Sequence, residues 1–268
     1  MLRLAGLTKA YAGTKALKDI SLSVPHGQMI AVIGRSGAGK STLLRLLNRL
    51  IEPSSGSIRF DDSEVTALRG ADLRRWRSQA AMIFQNYNLA PRLDVLTNVM
   101  VGASMEVPQW RRLCRLYTRE ERLRAARILD DLGLLDKALE RAERLSGGQQ
   151  QRVAIARALM QSPRLVLADE PVASLDPHNS QVVMETLNWI NRQHGITVIC
   201  NLHDLDLARK YADRVIGLRD GIKVFDGAVA ALTPAVLNDI YGSAADMDGS
   251  YAAERSTGIA IPTLAMPG

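Results

Sequence analysis

Cysteine is scarce, with two residues in 268. Neither Cys114 nor Cys200 has a CxxC partner or a histidine cluster around it, which excludes a zinc site and a disulfide framework. Both read as reduced packing residues. No run of about 18 apolar residues occurs, so no segment is predicted to span a membrane. The opening residues MLRLAGLTKAYAG lack the apolar stretch and cleavage site of a secretory signal, and a cytosolic chain is expected. Internal repeats are also absent. What is present is 47% hydrophobic content, ample for a buried core, and a net charge of +6. That excess points to a polyanionic neighbour: nucleic acid, nucleotide phosphates or an anionic membrane face. Arginine concentrates at 109–127 and 69–77. Either run alone reads as a solvated helix face.

MIAVIG (29–34), RLVLADE (164–170) and ITVICNLH (196–203) are short runs rich in Val, Ile and Leu, as expected of buried parallel strands. Between the last two, Val182, Val183, Leu187 and Ile190 recur at helical spacing, and Gly195 stands in the stop position. DRVIGLRDGIKVFDG (213–227) alternates on both sides of an Asp-Gly turn and predicts a hairpin, and GSIRFDD near residue 60 is a second antiparallel piece. The stretch from about 88 to 160 reads as mostly helical. The fold class is therefore α/β: a nucleotide-binding core with a small antiparallel β subdomain and an inserted helical subdomain. The expected boundaries are 1–87 and 161–242 for the core, 88–160 for the helical insert, and 243–268 for a loosely ordered tail.

GRSGAGKST places Gly34, Arg35, Ser36, Gly37, Ala38, Gly39, Lys40, Ser41 and Thr42 between an apolar strand and an amphipathic helix. This is the phosphate-loop pattern: backbone amides close round the phosphates, Lys40 reaches the β and γ oxygens, and Ser41 is a ligand for Mg²⁺. Asp169 and Glu170 end a buried strand, where an acidic pair is expected to hold something. In phosphate-loop enzymes such an Asp orients the magnesium shell, directly or through water, and an adjacent carboxylate polarises the attacking water.

A second anion cradle follows about a hundred residues later in ERLSGGQQQRVAIARAL, where Ser146, Gly147, Gly148 and Gln149 lead into a helix. LSGGQ resembles the signature of the ATP-binding cassette family, and the rest of that family's pattern follows in order over residues 2–227. Tyr11 matches the aromatic that stacks on adenine and Gln85 the glutamine loop. Asp176 matches the dimer-contact loop and His203 the switch histidine. The resemblance implies a phosphate-loop NTPase core of RecA-like type carrying an antiparallel β subdomain and a helical signature subdomain, with ATP and Mg²⁺ as cofactors. It implies catalytic roles for Glu170 as general base, His203 on the γ-phosphate and Gln85 near the metal and water. It also implies a head-to-tail homodimer, in which the signature of one copy serves the ATP held by the other copy's phosphate loop.

Only 106 positions separate Lys40 from Ser146, too few for the long coiled coil of chromosome and repair cassettes, and a single phosphate loop is present. The layout resembles a bacterial importer ATPase that works with separate transmembrane permease subunits. LADEPVASLDP and the insertion PQWRRLCRLYTREERLRAA are similar to the phosphonate-import members. That similarity implies a peripheral subunit on the cytoplasmic face of the inner membrane, served indirectly by a periplasmic phosphonate-binding protein. Nucleic acid is then not expected, and the basic, Trp-bearing run is placed beside the permease and anionic leaflet. An importer for another oxyanion, or a soluble cassette docked on a phosphonate-degrading complex, remains the alternative. Asn201 and Asp204, flanking His203, depart from the pattern.

Overall fold

The computed structural model describes residues 1–103, 110–111 and 116–242. Cys114, most of the insertion between 104 and 115, and the expected tail lie outside the described residues. Strands β1 (Leu2–Tyr11) and β2 (Thr14–Val24) form an N-terminal hairpin. Leu2, Leu4, Leu7, Leu17, Ile20, Leu22 and Val24 are buried, while the residues between them mostly face outward. Next comes β3 (Met29–Ile33), with all five residues buried, followed by α1 (Lys40–Leu47). Strands β4 (Ser55–Phe60) and β5 (Ser63–Glu64) join the hairpin in an antiparallel sheet of order β2-β1-β4-β5. After α2 (Gly70–Gln79) and β6 (Ala80–Ile83), the chain enters the helical stretch. Its described helices are α3 (Val95–Met100), α4 (Arg119–Asp131) and α5 (Gly147–Leu159).

The chain then returns through β7 (Leu165–Ala168), α6 (Pro177–His194), β8 (Thr197–Asn201) and α7 (Leu205–Tyr211). It ends in β9 (Arg214–Arg219), β10 (Ile222–Ala228) and α8 (Pro234–Tyr241). The larger sheet has the order β10-β9-β3-β8-β7-β6, parallel from β9 to β6. The three apolar runs are its central strands. The pattern at 213–227 does form a hairpin, but it extends this larger sheet: Val32 pairs in parallel with Ile216, and β10 closes the edge antiparallel. Of the antiparallel pieces read from sequence, only GSIRFDD enters the small sheet.

Strand β3 explains the layering. Met29, Ala31 and Ile33 point into one core with the helices, and Ile30 and Val32 point into a second core with α1 and the small sheet. A strand covered on both faces tends to a near-continuous apolar run, and β3 is apolar throughout. α6 starts at Asp176, whose side chain accepts from the Asn179 amide, and stops at Gly195 with φ 62°. Within the arginine run that is described, Arg111 pairs with Glu121 at 3.1 Å, while Trp110 is exposed.

Candidate functional site

In a parallel sheet the loops leaving the carboxyl ends of the strands converge on one edge, where such folds bind ligands. Here β3 delivers the phosphate loop, β7 delivers Asp169 and Glu170, β8 ends on Asn201 just before His203, and β6 leads to Gln85. The phosphate loop is packed against the N-terminal hairpin. Gly39 has φ 101°, and a Cβ there would sit 2.6 Å from the Ala16 carbonyl oxygen, so only glycine lets the backbone approach. Lys40 is buried and its Nζ donates to the carbonyls of Gly34 at 2.7 Å and Arg35 at 3.1 Å, folding over the loop it follows. Ala16, Ser36, Gly37, Gly39, Lys40, Ser41, Thr42 and Glu170 line a cleft of about 190 Å³. Arg35 is exposed and Ala38 is buried beneath the loop. Tyr11 is exposed at the hairpin tip, with Lys9 Nζ 4.9 Å from its ring centre.

Asp169 is buried, and its Oδ1 accepts from Ser41 Oγ at 2.8 Å and from Asn201 Nδ2 at 2.6 Å. Glu170 has a left-handed backbone, φ 51°, and its Oε1 lies 2.8 Å from His203 Nε2. The hydrogen bond from His203 is the main cause holding the Glu170 carboxyl below the ordinary carboxylate range, helped by the charges of His203 and Lys40 against the opposing pull of burial. Removing that bond in His203→Ala should therefore move the Glu170 titration upward. Carbon NMR of labelled glutamate in the nucleotide-free protein reads this directly, and an unmoved titration would show that His203 does not hold the carboxyl.

The second cradle lies elsewhere. Ser146 caps α5 and forms a reciprocal capping box with Gln149, whose side chain accepts from the Ser146 amide at 2.9 Å. The α5 N-terminus is wedged between two loops. A Cβ on Gly147 would meet Tyr87 Oη and Leu175 Cδ2 at 3.1 Å, and one on Gly148 would meet Asn179 Oδ1 at 2.4 Å. Tyr87 follows Gln85 by two residues, and Leu175 and Asn179 flank Asp176. Hydrogen bonds from Asn179 hold the exposed Asp176 carboxyl below its ordinary range. None of residues 146–149 lines the cleft over the phosphate loop. The structure thus gathers Lys40, Ser41, Asp169, Glu170 and His203 in one place and Ser146–Gln149 in another. Gln85 stands exposed in the turn after β6, whose end is tied to Asp169 by the bond from the Asp169 amide to the Ile83 carbonyl, 2.9 Å.

Three groups were missed or unassigned in the sequence. Arg157, on the last turn of α5, donates to the carbonyls of Tyr87 at 2.7 Å and of Asn88, tying the loop after Gln85 to the helix that starts at the second cradle. Its sequence signal is only an arginine on a helix face. Asp204 is the cap of α7, accepting from the amides of Asp206 and Leu207. Asn201, noted as a departure, is fully buried against Asp169.

The ABC transporter family matches residues 17–173. The chain is 54% identical over 265 residues to a phosphonates import ATP-binding protein of Rhodopseudomonas palustris, covering 99% of this chain and 98% of that one. It is also 54% identical to the phosphonates import ATP-binding protein of Agrobacterium fabrum, covering 96% and 90%. Among solved structures, a dimeric ATP-binding cassette in a post-hydrolysis state with ADP and Pi superposes with a TM-score of 0.76 at 33% identity, covering 85% of this chain and 99% of that one. With the phosphate loop, the acidic strand end and the second cradle all in place, the chain belongs to the ABC transporter family as one of its nucleotide-binding ATPase cassettes.

Proposed function

We propose that this chain is the ATP-hydrolysing subunit of a phosphonate importer. One observation carries the reading. The residues that match the family's chemistry meet at one sheet edge, in a chain alike over nearly its whole length to phosphonates import ATP-binding proteins. Lys40 binds the β and γ oxygens, the loop amides from Gly34 to Thr42 cradle the phosphates, and Tyr11 stacks on the adenine. Glu170 takes the proton of the attacking water as its oxygen bonds to the γ phosphorus and the bond to ADP breaks. His203 moves from Glu170 to the γ-phosphate.

Ser41 and Asp169 supply hard oxygens 2.8 Å apart, a donor set that suits Mg²⁺. No cluster of three or more His, Cys, Asp or Glu able to hold a metal occurs among the described residues; Ser41, Asp169 and Gln85 are the residues that would hold the ion together with the phosphates. When bound, Mg²⁺ offsets charge on the phosphate oxygens.

Ser146, Gly147, Gly148 and Gln149 complete the partner copy's site, and Asp176 lies at that contact. Closure of the homodimer is then coupled to ATP and opening to hydrolysis. No described helix is long and apolar enough to cross a membrane. In the importer read from the relatives, transmembrane permease subunits carry the substrate path, with the cassette on the cytoplasmic face of the inner membrane and a periplasmic binding protein delivering substrate. The exposed Trp110 lies in the run assigned to the permease side.

Deleting the gene should abolish growth on a phosphonate as sole phosphorus source and spare growth on phosphate, with restoration by the intact gene. Unimpaired growth on several phosphonates, in a strain without a second importer, would overturn the substrate and leave the ATPase standing.

A further inference from the structure

Strand β8 lies between the strand that delivers the phosphate loop and the strand that delivers Asp169: Val32 pairs with Asn201 on one side and Ala168 with Cys200 on the other. Its last residue is polar and has no exposure at all. A buried amide in the middle of a sheet is costly unless its groups are paired, yet only one side of Asn201 is satisfied. Nδ2 donates to Asp169 Oδ1 at 2.6 Å, while Oδ1 finds no partner among the described residues. Turning the amide over would set its oxygen against a carboxylate oxygen, so the observed orientation is the one electrostatics allows. An apolar residue would fill this strand end with no orphaned oxygen. What Asn201 provides in exchange is a fixed donor to Asp169.

Asp169 Oδ1 has two donors, Ser41 Oγ and Asn201 Nδ2, and its other oxygen faces Arg45 at 3.9 Å. The two donors differ in kind. The Ser41 hydroxyl is itself a proposed metal ligand: its oxygen would meet the cation through a lone pair while its hydrogen stays on Asp169, so its position would be set by the ion as well as by the protein. Asn201 is locked in the central strand. We propose that Asn201 is a positioning residue: the donor in the central strand that holds the Asp169 carboxylate in the pose in which it would orient Mg²⁺. This rests on the assignment of Asp169 to the magnesium shell. Partners of this kind, which orient a metal's ligands without touching the metal, typically change metal affinity by about 10–100-fold when removed.

The test is the Mg²⁺ dependence of nucleotide binding, read by titrating Mg²⁺ into full-length protein with a fluorescent ATP analogue. Asn201→Leu keeps the volume and removes the donor. It should raise the Mg²⁺ midpoint by about 10–100-fold, with analogue affinity in EDTA unchanged, a pattern that general loss of structure would not give. Asp169→Asn is run beside it. If Asp169→Asn moves the midpoint and Asn201→Leu does not, Asn201 has no positioning role. If Asp169→Asn leaves the midpoint unmoved, the assignment of Asp169 fails, and this inference with it. Should Asn201→Leu not fold, Asn201→Ser leaves room for a water in place of the amide and is expected to shift the midpoint in the same direction. An unmoved midpoint in that variant, with Asp169→Asn shifted, overturns the proposal.

Discussion

Glu170→Gln is expected to cut ATP turnover by about 10²–10⁴-fold, the usual contribution of a positioned general base, while ATP still binds. The amide is nearly the same size and tolerates the left-handed φ of 51° no worse than the acid does. It can also keep a hydrogen bond to His203, now at 2.8 Å. What it loses is the ability to accept the water's proton. The carboxylate's negative charge beside the phosphate cleft goes as well, so binding should hold or tighten. Since opening depends on hydrolysis, the variant should accumulate as an ATP-closed dimer. Light scattering on a sizing column with ATP and Mg²⁺ reads this: dimer for the variant, and less dimer for the parent. A variant that hydrolyses ATP at the parental rate would remove Glu170 from the role of base.

How far the sequence could be read depended on where each contact lies along the chain. Strands β3, β7 and β8 were legible because burial on both faces leaves a near-continuous apolar run, broken in β8 only at its ends by Thr197 and Asn201. The N-terminal hairpin passed unseen. Its strands are half exposed, and register shifts at bulges between Leu4 and Ala10 break the two-residue period. At 213–227 the local alternation identified a hairpin, but which sheet it joins is decided by the pairing of Val32 with Ile216, nearly two hundred residues apart, and local pattern cannot carry that.

The site shows the same division. Lys40, Ser41, Asp169 and Glu170 are found through short motifs because phosphate chemistry dictates residue type and spacing locally, whereas His203 is reached only through the family resemblance. Arg157 is different. It binds carbonyls 69 and 70 residues away, and backbone carbonyls leave no residue-type signal at the receiving end. Asn201 was visible as a departure from pattern, but its partner is Asp169 on the neighbouring strand, and only the sheet order brings them together.

The mixed dimer of Lys40→Ala with Ser146→Glu should regain one nucleotide-trapping site that neither parent homodimer has. Lys40 is buried over the phosphate loop, and its loss removes the positive charge proposed to meet the β and γ phosphates. Ser146 is the better target in the second cradle. Gly148 has no room for a side chain, with Asn179 Oδ1 2.4 Å from a Cβ there, so a change would disturb α5 itself. Ser146 is exposed; replacing it gives up its cap, at about 1 kcal/mol. A glutamate there is compatible with the helix N-terminus and repels a phosphate. If signature and phosphate loop meet across the dimer, pairing the two variants puts both defects in one site and leaves the other whole. If each chain closed its own signature on its own loop, both sites would stay broken. Vanadate trapping on differently tagged, purified heterodimers distinguishes the cases, since trapping needs one sound site where steady turnover can need two. Trapping no greater than that of either parent would refute assembly of the site from two copies.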